Sequence, residues 1–376
     1  MNINEIQSNI LDSLLPNPHG RLLLSPRVGK TKLIIELIKR DKPKSILWVT
    51  PSAKLAEEDI PNEFDKWKAK RYKKRLTTVT YASLNKTTGH YSWIILDEDQ
   101  CVTENALSTL FDKSLTYQNI IGMTGTDTTH ADKQFLYSRL NLSVLVEYDI
   151  NTAVSDQILS DYHIYVVDIP LDANKNILVK TKAGKTFYTS ELNTYNYYNN
   201  KVETIKLYGG NMKRAALMRM KVIHKSNSKA SVVKWLGAHL KGRSLIFAPT
   251  IKQIESITSN VYHSKTNKDA YNAFQENKIN TLGLVESGGI GHTFTNLNNI
   301  ILMQVDSDGT GRSTQKICRA LLAEKDKFAS IYIMRLVGTQ DVNWVNSTLS
   351  SFDESKVSFL TLNDLIEHVK NQSSDL

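Results

Sequence analysis

The feature that most constrains this chain is an apolar run that stops in a turn and restarts as a helix. Leu22-Leu23-Leu24 leads into Ser25-Pro26-Arg27-Val28-Gly29-Lys30-Thr31 and then Lys32-Leu33-Ile34-Ile35-Glu36-Leu37-Ile38. The run reads as a buried strand, and the spacing after Thr31 reads as an amphipathic helix. A helix start leaves backbone N–H groups without intrahelical partners and carries the positive end of the macrodipole, so the turn suits an anion. Lys30 adds a point charge and Thr31 a hydroxyl suited to magnesium. A nucleoside triphosphate is therefore the expected ligand of Arg27, Val28, Gly29, Lys30 and Thr31. The loop departs from the full phosphate-loop pattern, because Leu24 stands at its first glycine position. A second Gly184-Lys185-Thr186 lies in an alternating stretch from Leu178 to Tyr188 that opens no helix, and it reads as a hairpin turn.

A second constraint comes from Tyr91-Ser92-Trp93-Ile94-Ile95-Leu96, an apolar strand that runs into Asp97-Glu98-Asp99-Gln100. Buried carboxylates are costly unless they meet a cation, so the strand's carboxyl end belongs at a site. Beside a phosphate loop, Asp97 is suited to holding magnesium and Glu98 to orienting or deprotonating a water.

The rest of the chain alternates strands and helices. Ile3 to Leu15 has helical spacing and ends at Pro16-Asn17-Pro18-His19-Gly20; Gln7 on it is either a packed or surface amide or a contact to an adenine edge. Strands are expected at Ser45 to Pro51, Leu76 to Tyr81 and Asn119 to Thr126, so residues 1–150 read as a mostly parallel α/β sheet. Residues 151–162 read as a linker, and a strand at His163 to Pro170 opens the second half. An insertion near residues 176–200 combines the hairpin with Tyr195-Asn196-Tyr197-Tyr198-Asn199-Asn200, ahead of a helix near Met212 to His224. Those aromatics suit either a half-buried face or base stacking. Strands at Arg243 to Thr250, Thr281 to Val285, Asn299 to Val305 and Ile331 to Leu336 echo the first half. Between two of them, Glu286-Ser287-Gly288-Gly289-Ile290-Gly291-His292 suits a close backbone approach to a ligand or a plain turn. Ser313 or Thr314 is expected to cap a helix on which Gln315 and Arg319, four apart, share a face.

At 376 residues the chain has room for two or three domains, and 41% hydrophobic with 23% charged residues excludes a disordered chain. The net charge of +9 is densest in Lys66-Trp67-Lys68-Ala69-Lys70-Arg71-Tyr72-Lys73-Lys74-Arg75, which is either a solvated helix face or a surface for nucleic-acid phosphates. Cys101 and Cys318 form no metal-binding spacing or disulfide framework. No apolar run approaches the ~18 residues of a membrane helix and the amino terminus lacks a signal-peptide pattern, so a cytoplasmic protein with no membrane partner is expected.

Taken in order, these blocks resemble superfamily 2 helicases and translocases over roughly residues 3 to 340. Arg21 to Thr31 resembles motif I, Val49-Thr50-Pro51 motif Ia, Thr80-Tyr81-Ala82-Ser83-Leu84 the short motif after it, Asp97-Glu98-Asp99-Gln100 the DExx box, and Thr124-Gly125-Thr126 motif III. Ile246-Phe247-Ala248-Pro249-Thr250 resembles motif IV, Glu286 to Thr293 motif V, and Gln315 to Leu322 motif VI. Gly288 to Gly291 with Thr295-Asn296-Leu297 is similar to the Snf2-like branch, and the compact size is similar to phage helicases of the UvsW type.

The resemblance implies two tandem RecA-like domains with an ATP cleft between them, residues 1–150 and 163–376, and a DNA-dependent ATPase of the helicase or translocase class. It implies ATP and Mg2+ as cofactors, with Gln7 at adenine and Gln315 among the nucleotide contacts. Arg319 would be the arginine finger, and Thr50, Ser83, Thr250 and Gly288 would touch the nucleic-acid backbone. DNA is favoured over RNA as partner, with room for replication or recombination proteins, and a phage-encoded chain would work in the host cytoplasm. The departures are Arg27 at a usual glycine, Gln100 at a frequent histidine, and Leu322 at motif VI's second arginine, whose contact Arg312 would supply. They imply a weakened or partner-stimulated ATPase. The alternatives are a nucleic-acid-binding module that uses ATP as a conformational ligand, and an RNA helicase.

Overall fold

The computed structural model describes residues 2–125, 127, 131–181, 183–285, 294–306, 311–322, 324 and 327–374. They form two compact units, Met1–Leu159 with Gly309–Cys318, and Ser160–Asp308 with Arg319–Leu376.

The first unit is built on strands β1 (Gly20–Leu24), β2 (Ile46–Thr50), β3 (Leu76–Thr80), β4 (Gly89–Asp97), β5 (Leu115–Thr124) and β6 (Val144–Tyr148). They pair in the order β3-β2-β4-β5-β1-β6, all parallel. A parallel sheet is covered on both faces, so its central strands are apolar throughout; β1 and β2 are buried along their whole length. Leu47, Val49, Ile94, Leu96 and Ile120 carry the core on one side. The opening helix Ile3–Ser13 is fixed by a capping box, in which the Asn2 side chain accepts from Glu5 N while Glu5 reaches back to Asn2 N. Within the expected linker, Ile150–Ser155 forms a short helix capped by Asp149.

The buried pair Arg21–Asp99 locks this sheet. Arg21 on β1 reaches past β5 to Asp99 after β4, with Nε and Nη2 donating at 2.8 and 3.1 Å. Gly122 on β5 makes the crossing feasible, since a Cβ there would lie 2.5 Å from Asp99 Oδ2. Tyr137 donates to the Asp99 carbonyl at 3.0 Å and lies under the guanidinium, whose Cζ is 4.1 Å from the ring centroid.

The second unit contains β7 (Asp161–Ile169), β8 (Ile177–Lys180), β9 (Thr186–Thr189), β10 (Arg243–Ala248), β11 (Val261–Tyr262), β12 (Thr281–Val285), β13 (Leu297–Leu302), β14 (Phe328–Leu336) and β15 (Val357–Leu360). Seven of them form a parallel sheet in the order β11-β12-β10-β13-β14-β7-β15, and β8 pairs only with β9, antiparallel. The Gly184-Lys185-Thr186 copy is thus the hairpin turn expected of it, with Gly184 at a φ of +80°.

The Tyr/Asn-rich run forms a half-buried face of an 18-residue helix, Glu191–Tyr208, which Ser190 caps and from which Tyr195 and Val202 turn inward. The expectations for the helix after residue 311 are corrected. Ser313 and Thr314 are buried within the helix Arg312–Ile317, whose cap is Gly311 at a φ of 70°. That helix ends before Arg319, so Gln315 and Arg319 do not share a helix face. The chain leaves the helix because Leu321 O accepts from Ser160 N and Leu322 O from Ser160 Oγ.

Candidate nucleotide site

Three parts of the first unit meet at the carboxyl end of β1. The helix Lys30–Asp41 starts after Gly29, which is left-handed at a φ of 79°, and no side chain caps that start. Its first N–H groups are therefore available to an anion. Arg27 is left-handed too, at a φ of 75°, so the position that usually holds glycine has the geometry that favours glycine. Its guanidinium is partly buried, which lowers its pKa. Gln7 is 5% exposed and donates to Val28 O at 2.6 Å. A Cβ on Gly29 would collide with that same amide at 2.5 Å.

Lys30 Nζ points back toward the strand end, 3.4 Å from Leu24 O and 3.9 Å from Glu98 Oε1. Asp97 is buried, and burial together with the neighbouring Glu98 charge pushes its carboxyl up to about 7, against the pull of Lys30 and Trp48. Trp48 Nε1 donates to Asp97 Oδ2 at 3.4 Å, and Tyr81 OH donates to Asp97 O at 2.8 Å. A buried carboxyl lifted this far is one that a cation would return to its charged form. Magnesium commonly takes one or two protein oxygens and completes its shell from phosphates and water. Asp97 with the Thr31 hydroxyl fits that donor set.

Glu98 is left-handed, at a φ of 51°. Its Oε2 accepts from Gln100 Nε2 at 2.9 Å and from Gln315 Nε2 at 3.0 Å. Gln100 Oε1 in turn accepts from Thr124 Oγ1, and its carbonyl accepts from Lys133 Nζ at 2.6 Å. An amide can donate and accept at once, so Gln100 ties Glu98 to the end of β5. Nothing in sequence spacing identified Trp48, Tyr81 or the Thr124 link; each depends on which strands lie side by side. Arg312 is exposed and bonds the Cys101 side chain.

Lys30, Asp97, Glu98, Gln315 and the Arg27 to Thr31 loop thus gather in one unit, with Gln7 behind the loop. Arg319 belongs to the second unit and is half-buried in the turn after Ile317. Thr50 closes β2, fully buried, with no hydrogen-bond partner for its hydroxyl among the described residues. Thr80 stands beside it in register and shares a capping box with Ser83. Thr250, in the second unit, caps the helix Ile251–Ile257. Gly288, with the rest of Glu286 to Thr293, and Thr126 lie outside the described residues.

No protein-family model matches the sequence, and no curated protein matches it. Solved structures do resemble it. An ATP-dependent Type ISP restriction-modification enzyme, LlaBIII, bound to DNA matches 99% of this chain with a TM-score of 0.60 and 13% identity. S. cerevisiae Dbp5 bound to RNA and ADP BeF3 matches 98% of this chain and 93% of its own, with a TM-score of 0.55 and 12% identity. The Pyrococcus furiosus Hef helicase domain matches 92% of this chain and 97% of its own, with a TM-score of 0.50 and 12% identity. The fold is that of tandem RecA-like helicase domains. The chain spans about a third of LlaBIII's length, 32%, and at these identities the likeness carries the fold alone. No described helix is long and apolar enough to cross a membrane.

Proposed function

We propose that the chain is a nucleic-acid-dependent ATPase of the superfamily 2 helicase and translocase class, acting on DNA. The observation that carries this reading is the left-handed Gly29 at an uncapped helix start, with Lys30 Nζ 3.9 Å from Glu98 and the buried Asp97 alongside. Backbone N–H groups and Lys30 would hold the phosphates, and Asp97 with Thr31 would hold Mg2+, which when bound would supply neutralisation of charge on the phosphates. Glu98, anchored by Gln100 and Gln315, orients and deprotonates the attacking water. Arg319 is assigned to transition-state charge, and Thr50, Ser83, Thr250 and Gly288 to the nucleic-acid backbone. Residues 1–150 and 163–376 are read as the two working domains, with hydrolysis driving movement of the Snf2-like or UvsW-like type.

The basic charge suits the phosphates of either nucleic acid, and the DNA-bound LlaBIII supplies a precedent for DNA on this fold. The fold shared with RNA-bound Dbp5 supports RNA as the second reading. Steady-state ATP hydrolysis measured with forked, single-stranded and duplex DNA and with RNA separates the two. Lys30→Ala and Glu98→Gln are expected to abolish the stimulated rate while leaving Tm near that of the wild type. Undiminished hydrolysis in both rejects the site. Nucleotide binding without phosphate release on every nucleic acid would instead make ATP a conformational ligand, in line with Arg27 and Leu322.

A further inference from the structure

The hairpin β8–β9 projects from the second unit as a two-stranded sheet paired to no other strand. From Ala173 to Ser190 the sequence holds Lys175, Lys180, Lys182 and Lys185 and no acidic residue. Leu178 stands opposite Tyr188, and Lys180 opposite Thr186. Cross-strand partners share a face, and residues two apart share it too. Leu178, Tyr188, Lys180 and Thr186 therefore form one face, and all four are exposed, Leu178 at 59% and Tyr188 at 62%. Phe187, 51% exposed, stands on the opposite face beside Val179.

The basic run at Lys66 to Arg75 makes an instructive contrast. There Lys66 pairs with Glu63 at 2.8 Å and Lys73 with Asp65 at 2.9 Å, while Arg71 and Arg75 lie over the Tyr72 ring. Two of those charges thus have acidic partners within the run's own surroundings. The hairpin's acidic neighbour Asp172 is instead taken up by Asn174 N and Asn176 Nδ2, both at 2.8 Å. An exposed aromatic ring amid lysines without acidic compensation matches single-stranded nucleic acid, which offers a flat base to stack and phosphates on either side.

We propose that the β8–β9 hairpin is a contact site for single-stranded nucleic acid, in which Tyr188 stacks on a base and Lys180, on the same face, binds a flanking phosphate. The assignment rests on the reading of this chain as a nucleic-acid-dependent ATPase.

The test is binding of a fluorescein-labelled oligothymidylate to the full chain, followed by anisotropy over a salt series. Tyr188→Val keeps a residue of high strand propensity and removes the ring. It is expected to weaken binding about tenfold, with Tyr188→Trp restoring it. Lys180→Gln is expected to reduce the slope of log K against log salt by about 0.7, one single-strand phosphate contact. ATP hydrolysis without nucleic acid is expected to stay at the wild-type rate in every variant. If the wild type binds and all variants match it in affinity and slope, the hairpin assignment alone is overturned. A wild type that fails to bind the oligonucleotide overturns this assignment, whereas the proposed function falls only if no nucleic acid stimulates ATP hydrolysis. If Tyr188→Val keeps its affinity but loses self-association in sedimentation runs, the hairpin is a contact between copies, and the assignment is again overturned.

Discussion

Gln7 Nε2 lies 2.6 Å from the Val28 carbonyl oxygen and fills the space that a Cβ on Gly29 would need. The opening helix thereby braces the phosphate loop in its left-handed turn. Gln7→Ala strips a buried carbonyl of its partner, a loss of about 1–3 kcal/mol. Calorimetry is expected to show a lower Tm, and ATP and GTP affinities are expected to drop together. Loss of ATP binding alone would mean that Gln7 reads the base instead.

Arg27 carries a side chain at a φ of 75°, a conformation that costs a residue other than glycine roughly 1–2 kcal/mol. Arg27→Gly and Arg27→Ala both remove the guanidinium, so their difference isolates the backbone. The glycine variant is expected to be the more stable by about 1 kcal/mol in urea unfolding. Equal midpoints would contradict the strain.

Asp97 is held near 7 by burial and by Glu98, whereas an unfolded aspartate titrates near ~3.9. Between these values the folded state keeps a proton that the unfolded state has lost, so stability falls as pH rises through the window and stays low above it. Asparagine carries no charge at any of these pH values. Without nucleotide or magnesium, the Tm advantage of Asp97→Asn over the wild type is expected to grow between about pH 4 and about pH 7 and to level off above. A pH-independent difference would remove the buried charge as its cause.

Asp99, two residues on, is expected to answer the same Asp→Asn substitution with a loss of stability. Its carboxylate is fully buried and held bidentately by Arg21, and removing one partner of such a pair costs about 3–5 kcal/mol. Asp99→Asn is expected to shift the urea midpoint down strongly, whereas Asp97→Asn is not. Gly122→Ala, which drives a Cβ to 2.5 Å from Asp99 Oδ2, is expected to cost about 1–3 kcal/mol by crowding.

In the second unit Lys229 and Asp341 pair at 2.6 Å with neither side chain exposed, and Gln304 bonds both. Lys229→Met strands the Asp341 charge and is expected to cost about 3–5 kcal/mol, with Lys229→Met/Asp341→Leu recovering much of the loss in the same unfolding measurement.

Alternating apolar runs made most of the fold legible. Strands β1, β2, β4 and β10 announce themselves because both faces of a parallel sheet are buried, and the Gly184 turn was separable from the phosphate loop because no helix follows it. The edge strands β6, β11 and β15 were not foreseen; β11 spans two residues and β6 is mostly exposed, so neither leaves a clear period. For Tyr195 to Asn200 the sequence left helix and loop open, because polar residues dominate the run and only Tyr195 and Val202 of its later turns face inward.

The phosphate loop and the carboxylates after β4 can be read from the sequence alone, because a glycine-lysine-threonine turn before a helix and charges after a buried strand are local patterns. Tertiary structure decided what those residues do for one another. Asp99, to which the sequence assigned no role, is a buried partner of Arg21, 78 residues away. Gln100, read from the sequence only as a departure from a frequent histidine, links Glu98 to Thr124, 24 residues on. Periodicity reports which side of a strand is buried, but hydrogen-bond partners follow from the order β4-β5-β1, and that order exists only once the sheet has formed.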